Sequence, residues 1–546
     1  MESFTIIPIG GLKTSVPEDD LTLMQIVSEG VAITNDVGGV NVDYQRSRNA
    51  ANKSYGRAQW SASATTSTTN CLGLFSMTDS SDNLSQWIFA GDGGSGKGRV
   101  WRFNSSRAPQ RVSSTSGAGH PGAVEWSDTD LYCAIQYGDY MIFTDIQQST
   151  TPYYSDYNDA KFTKMLNSGT EYKCKYLELF QNRIVIANTD QTNGDLEIRW
   201  SAALPTLGSM AIAAGNQLFK SGNDSITGLK KFGPNACFIY GEDSVDRIDY
   251  YSSYLVPFGI TNMAGQGTVS YHSIVDIGPS HYLFNKSYGF CEYRGGSEFP
   301  YGGRAISDPI EDMINGISSN YYKLIVGTFL PSRNEIAWAV PLASASTNNA
   351  VLYYNIQSGS WRKEDKVAHY VDAWRSWTDF TWNDLIIALG GSGALWTAAG
   401  TDTWAKYTSE RYDTLILSNT DGQLYEYSSE GDAGSDFDGY RIEPMLNFQK
   451  NNKSVVNEIW FSIAERGTYS IDIYYRQGDN VGDVKAASWT ALGSISTDNP
   501  SNAVVYTPDS LHSAARYHQI KWGCDAAAEP FSVNSIQFRY VPEGRY

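Results

Sequence analysis

Gly91, Gly96 and Lys97 lie in the stretch FAGDGGSGKGRV, from Phe89 to Val100, at the spacing of a phosphate-binding loop, G-x-x-x-x-G-K-[ST]. That chemistry needs a Ser or Thr hydroxyl after the lysine to ligate Mg²⁺. It also needs a helix opening at the loop, whose N-terminal N–H groups and dipole hold the phosphates. Residue 98 is glycine, and Gly98-Arg99-Val100-Trp101-Arg102-Phe103 alternates apolar and basic side chains with the period of a strand. Gln86-Trp87-Ile88-Phe89-Ala90, just before, is an apolar run of strand length. Strand, Gly-rich turn and strand predict a β-hairpin, not a nucleotide site.

Other chemistry is thinly represented. The six histidines, His120, His272, His281, His369, His512 and His518, include no H-x-x-H or H-E-x-x-H pair, and none lies beside a cysteine. Surface or packing roles are expected for them. The six cysteines, Cys71, Cys133, Cys174, Cys237, Cys291 and Cys524, form no C-x-x-C pair. Most fall in apolar runs such as Leu131-Tyr132-Cys133-Ala134-Ile135, which predicts buried, reduced thiols and assembly in a cytoplasm. Asp436-Phe437-Asp438-Gly439 resembles part of a calcium loop, but Gly434 holds the first ligand position and Met445 stands where the bidentate Glu belongs. It reads as linker. No G-x-S-x-G elbow exists. Paired carboxylates for glycoside hydrolysis meet only in space, so that chemistry stays open, although the S-x-D-x-G-x-T-W turns of many propeller glycosidases are missing. No catalytic, cofactor-binding or metal-ligating residue is assigned, and no cofactor is expected.

The elements that would position any site follow a rhythm. Apolar strand-length runs begin near Trp87, Tyr140, Arg183, Ala236, His281, Asn334 and Asp384, in steps of about 43 to 53 residues. Many follow a polar turn, such as Tyr137-Gly138-Asp139 or Phe180-Gln181-Asn182, and many precede a second, aromatic-bearing strand. The latter include Val100-Trp101-Arg102-Phe103, Glu197-Ile198-Arg199-Trp200, Val351-Leu352-Tyr353-Tyr354 and Ala394-Leu395-Trp396. A four-stranded unit repeated every 40 to 50 residues or so is the pattern of a propeller blade. One blade cannot bury both its faces, and stacking around an axis does. The expected fold is all-β: a β-propeller of six to eight blades over residues 36–430, with few short helices. A series of separate sandwiches is the competing architecture.

Pro17 to Val27, with acids in its first turn and Gly30 after it, predicts a short helix in an N-terminal arm, residues 1–35. Asp308-Pro309-Ile310-Glu311-Asp312-Met313-Ile314-Asn315-Gly316 repeats that grammar. EGDAGSDFDG, Glu430 to Gly439, marks a boundary. Beyond it, strands near Ile459–Phe461, Tyr469–Tyr475, Ala503–Tyr506 and Ser535–Tyr540 predict a C-terminal β-sandwich-like domain, 431–546.

Composition narrows the function classes. The net charge of −18 argues against a DNA clamp, because affinity for nucleic acid comes from neutralising phosphates. An acidic wall suits a conduit better, although −18 over 546 residues also serves plain solubility. The first residues, MESFTIIPIGGLKTSVPEDD, lack the basic and apolar regions of a signal peptide, and no run of 18 apolar residues predicts a membrane span.

Several segments, in order, resemble the β-propeller proteins of short-tailed bacteriophages called tail nozzle, hub or packaged-DNA stabilisation proteins. They are Tyr176–Asn188 (YLELFQNRIVIAN) with Ile198-Arg199-Trp200-Ser201, then Asp224–Leu229 (DSITGL), Phe238–Val245 (FIYGEDSV) and Gly267–Ser270 (GTVS). Tyr288–Gly296 (YGFCEYRGG), Ile306–Ile310 (ISDPI), Val351–Asn355 (VLYYN) and Ser358–Trp361 (SGSW) complete the set, spanning about residues 170 to 365. The resemblance implies a structural virion protein of the tail, assembled in the host cytoplasm. It implies a hexameric ring below the portal and adaptor, whose channel helps retain and then conduct the genome without sequence-specific binding. Adaptor and portal proteins, and tail fibres or spikes, are the implied partners. Relatives can carry gate or fibre-docking insertions, and no residue here matches one, so channel and gate residues are unknown. A carbohydrate- or receptor-binding tail protein, or a propeller glycosidase, is the alternative.

Overall fold

The computed structural model describes residues 71–376 and 412–543 apart from connecting stretches, of which 113–129 is the longest, with strands at 2–6, 38–40, 42–45, 50–53 and 56–59 and two further residues, 61 and 64. The fold is all-β, built of many small antiparallel four-stranded sheets with very few helices. Six such sheets stand alone and a seventh forms one end of a nine-stranded sheet, giving seven units (6 + 1). Units 1 to 6 cover residues 71–112, 132–164, 174–219, 228–263, 275–305 and 326–364, each with its strands in chain order. Unit 7 takes three strands from 370–429, and its fourth is Gly56–Gln59, from near the N-terminus.

The second strand of each of units 1 to 6 is where the apolar rhythm comes from. Glu335–Val340 is buried at every position, with neighbours on both edges, as are Gly289–Tyr293 and His281–Asn285. Strands covered on both faces read as continuous apolar runs. Leu84–Asp92 and Lys97–Phe103 pair antiparallel from Gln86↔Phe103 to Asp92↔Lys97, so the Gly-rich stretch is a hairpin connection and Lys97 opens a strand. Gln181 and Asn182 both adopt positive φ, 52° and 54°, between paired strands Cys174–Phe180 and Arg183–Thr189. This is the left-handed two-residue turn that matches strand twist.

The first strands of successive units touch one another in chain order, and the sequence returns on itself. Cys71–Thr78, Tyr132–Tyr137, Cys174–Phe180, Gly228–Phe232, Val275–Asp276, Val326–Leu330 and Tyr370–Ser376 each contact the next, and Tyr370–Ser376 contacts Cys71–Thr78.

One further sheet and the far end of the nine-stranded sheet pack over a separate core that includes Leu446, Ile459, Phe461, Ile473, Tyr475, Trp522 and Phe538. One contains Ser454–Ile463 and Ser532–Pro542, the other Ser470–Gly478 and Tyr517–Cys524. The strands foreseen beyond residue 431 lie in these sheets, with a short helix, Val481–Ala486, capped by Asn480. The sheets do not respect a sequential division of the chain. Glu2–Ile6 and Ala50–Lys53 both pair with Ser532–Pro542, and Val42–Gln45 pairs with Ala50–Lys53. Gly38–Val40 lies between Ser360–Glu364 of unit 6 and Gly439–Ile442, making one continuous sheet from unit 6 into the C-terminal layers.

The helix expected at 308–316 is present as a 3₁₀ turn, Asp308–Ile310, running into Glu311–Asn315. Gly316 ends it with right-handed φ, −75°, and Ser307, not Asp308, precedes the first turn. The helix expected at 17–27, the runs at 384–390 and 394–396 and the calcium-like residues Asp436 and Asp438 lie outside the described residues. The second strand of unit 7 is Tyr412–Ser418, downstream of the apolar run at 384.

Candidate functional site

Each seam between units carries at least one hydrogen bond from or to a side chain. From units 1 and 2 round to units 6 and 7, examples are Thr78 N to Gln136 Oε1 (3.2 Å), Thr144 Oγ1 to Cys174 O (2.8 Å), Asn188 Nδ2 to Ile226 O (2.9 Å), Tyr240 Oη with His281 Nδ1 (2.6 Å), Ser270 Oγ to Ile325 O (2.8 Å) and Asn348 Nδ2 to His369 O (3.1 Å). Between units 7 and 1, Ser76 Oγ donates to Asp372 Oδ2 at 2.7 Å. These bonds fix the lateral register that apolar packing alone leaves loose.

The segments that carry the family resemblance serve this architecture. Asp224 accepts from Asp243 N–H at 2.9 Å and from Lys220 Nζ at 2.5 Å, and Ser244 also donates to it. Burial works against its charge, but these donors hold the carboxyl well below the ordinary range. A Cβ on Gly267 would stand 1.7 Å from Gly241 O, so only glycine permits the approach of the two loops.

Six of the seven units, all but unit 6, are linked through a cluster of rings and neighbouring side chains. Phe75 of unit 1 packs on Tyr370 of unit 7, with ring centres 5.9 Å apart. Tyr370 Oη lies 2.8 Å from His272 Nδ1, in the 3₁₀ turn Tyr271–Ser273 that leads into unit 5. Tyr271 packs on Tyr176 of unit 3, centres 5.2 Å apart, and Lys230 Nζ of unit 4 lies 6.0 Å from the Tyr271 ring. Cys133 Sγ of unit 2 accepts from Leu177 N–H of unit 3. Units 7 and 5, and units 5 and 3, are not neighbours in the cycle, yet their side chains touch. These contacts form one cluster of side chains shared by units that are not adjacent. Beside it lies a cavity of about 60 Å³, lined by residues that include Asp130, Tyr176, Ser270, Tyr271, His272 and Lys323.

Ionisable groups with shifted pKa values cluster where burial is deepest. Burial brings His272 down to about 3 and His518 to about 4, and lowers His281 as well. Asp372 is pushed up to about 6 by burial, against hydrogen bonds from Ser76, Gln86 and the Ala373 N–H. His120 and His512 lie outside the described residues.

One pairing has the look of a nucleophile and its base. Ser454 Oγ lies 2.9 Å from His518 Nε2, and Tyr475 Oη lies 2.5 Å from His518 Nδ1. Ser454, Tyr475 and His518 are fully buried, packed in or beside the core between the C-terminal layers. A nucleophile must reach a substrate, and this one faces only protein, so the trio is a buried polar tie. The six cysteines are free and buried, each in its own strand. No group of three or more metal-ligating side chains comes together among the described residues. Nothing in the sequence pattern singles out the hub residues Tyr176, Tyr271, His272 and Tyr370. Their spacing has no period, and only the fold unites them.

No family model matches the chain, and no curated protein matches it. Among solved structures, the chain is similar to the extracellular domain of the putative hybrid two-component system BT4673 from B. thetaiotaomicron, at 7% identity and a TM-score of 0.38, over 78% of this chain and 45% of that one. It is also similar to apo AztD from Citrobacter koseri, at 10% identity and a TM-score of 0.30, over 54% of this chain and 71% of that one. The chain thus spans under half the length of the first of these, 45%.

Proposed function

We propose that the seven units are the blades of one β-propeller and that the protein is a structural component of a short-tailed phage tail, a nozzle or hub subunit. Copies of it, six by the family resemblance, form a ring that continues the DNA channel below portal and adaptor. The cyclic contact of the first strands supports the propeller, as does the fourth strand of unit 7 arriving from the opposite end of the chain. The observation that carries the tail reading is the ordered set of family-like segments between residues 170 and 365.

The filled hub adds a constraint. DNA cannot thread a middle packed with Phe75, Tyr176, Tyr271, His272 and Tyr370, so the conduit lies between subunits. Six copies carry −108 in total (6 × −18). A mildly acidic bore keeps DNA from adhering as it slides. Negative-stain microscopy and native mass spectrometry of the purified protein test the reading. The expected result is a hollow ring of defined stoichiometry that joins purified portal–adaptor complexes. A monomer that binds or cleaves glycans and never joins a tail overturns it.

A further inference from the structure

Turns of one kind lie side by side across the units. Gln181 Nε2, between the first two strands of unit 3, donates to Asn235 Oδ1 at the same place in unit 4, at 3.3 Å. Lys286 Nζ, between the second and third strands of unit 5, donates to Asp243 Oδ2 at the same place in unit 4, at 2.9 Å. Strands within a unit alternate in direction, so units 3 to 5 present two opposite faces, a first-turn face and a second-turn face. The exposed charges divide between them. On the second-turn face, Asp190 and Asp195 of unit 3 and Glu242 and Asp243 of unit 4 are exposed. Glu311 and Asp312 of the short helix join them, and Gly316 O, at its end, accepts from Ser344 N–H in the second turn of unit 6 at 2.9 Å. The exposed cations among the described residues there, Lys286 and Lys323, are each held by acids, Lys286 by Glu242 and Asp243 and Lys323 by Asp130. On the first-turn face of units 3 to 5, every exposed charged side chain among the described residues is basic. Lys231 stands near the end of the first strand of unit 4, and Arg294 and Arg304 stand at the adjoining ends of the third and fourth strands of unit 5.

The same faces carry exposed rings. Phe219 and Tyr288 lie on the second-turn face, and Tyr250 and Tyr251 on the first-turn face. They are four of the six exposed large hydrophobic side chains among the described residues. Phe219 pairs with Glu197 at the start of a third strand, and Tyr250 N–H donates to Asn235 O in a first turn. Aromatic anchors rimmed by charge are the make-up of a protein–protein contact. We propose that these faces are the two halves of one contact: the acidic second-turn face of each copy packs on the basic first-turn face of the next, and this head-to-tail contact, repeated, closes the ring. The proposal rests on the ring put forward above. A contact between two different surfaces of one chain generates a ring when its rotation closes. Charge complementarity selects a second copy as the occupant, because the chain itself supplies both signs. Like faces stacked together repel, and the acidic face repels nucleic acid. The two signs also set direction, so every subunit points the same way around the ring.

Charge reversal in the full-length protein tests the pairing. Glu242→Lys with Asp243→Lys alters one face, and Lys231→Glu with Arg304→Glu alters the other. All four side chains are exposed, and circular dichroism melts check that both variants fold. Each variant alone should need about tenfold or more protein to form the ring in native mass spectrometry and sedimentation, because like charges then meet. Mixed in equal amounts, the two should restore a ring in which they alternate. In the unmodified protein, carbodiimide cross-links between ¹⁴N- and ¹⁵N-labelled copies should join Lys231 to acids of the second-turn face. A wild-type ring that neither reversal weakens overturns the pairing and leaves the ring itself standing, and so do folded, weakened variants that fail to rescue each other. A wild-type protein that never forms a ring overturns the proposed function, and the pairing with it.

Discussion

The carboxylate of Asp372, in unit 7, accepts a hydrogen bond from the Ser76 hydroxyl, in unit 1, at 2.7 Å, where the last unit meets the first. Gln86 Nε2 and Ala373 N–H donate to the same carboxylate at 3.2 and 2.9 Å. Burial nevertheless outweighs these bonds and raises its pKa from 3.8 to about 6. The folded state therefore favours the protonated acid. Stability from this group is full below pH 3.8 and falls as pH rises through about 6, by at most about 3 kcal/mol. Asp372→Asn cannot titrate. Urea unfolding at pH 4 and pH 7.5 should show the variant gaining on the parent by up to that amount, and a pH-independent difference would refute the assignment.

Asn188 combines two roles that substitution can separate. Its φ is 55°, and its amide donates to Ile226 O across the seam between units 3 and 4. Asn188→Gly keeps the left-handed backbone and loses the bond, at a cost of about 1–3 kcal/mol. Asn188→Asp turns an acceptor toward that carbonyl and should cost more than glycine. Chemical denaturation of the two variants checks the order.

The thiols should be silent in the native protein. Burial pushes Cys71 and Cys133 up to about 11 and Cys291 to about 12, so little thiolate exists at pH 8. Ellman's reagent without reductant should find none of the six reactive until the chain unfolds, and all six afterwards. A disulfide found by mass spectrometry would contradict the strand placement.

Lys97 begins a strand opposite Asp92, with no helix after it. Lys97→Ala should leave folding and assembly unchanged. Calorimetry should find no ATP binding in either form, and micromolar binding lost on substitution would restore the nucleotide-loop reading.

Ser61 latches the N-terminal strand onto unit 7. Its N–H donates to Leu424 O, and its hydroxyl accepts from Leu424 N–H, both at 3.2 Å. Ser61→Ala removes one of these two bonds and should cost about 1–3 kcal/mol, and Ser61→Pro removes both. Hydrogen exchange at Leu424–Glu426 should rise in that order. Unchanged exchange in the proline variant would show that unit 7 holds without its latch.

The legible part of the fold was its buried middle strands. Ala236–Tyr240 and Glu335–Val340 announce themselves because both faces are covered. The first strands are harder to see: Gly228–Phe232 carries Lys230, near the Tyr271 ring, and the exposed Lys231, and Val275–Asp276 is two residues long. The strand Tyr412–Ser418 was missed because a more apolar run at 384 keeps the expected spacing. The N-terminal strands carry no local cue, since Gly38–Val40 finds partners near residues 363 and 440. His272 was legible only as a residue type, and its partner Tyr370 lies 98 positions away.

The threading of residues 38–59 has a consequence in time. This stretch leaves the ribosome early, but its partners, Lys363, Glu426, Tyr440 and Val533, are made hundreds of residues later. Until those partners are made it has nothing to pair with, and closing so long a loop costs chain entropy before any contact offsets it. A chain that stops before residue 532 holds the strands of all seven units, yet it leaves Glu2–Ile6, Ala50–Lys53 and Ser454–Ile463 without their partner Ser532–Pro542. Strands left open in this way are the edges that other chains and chaperones seek.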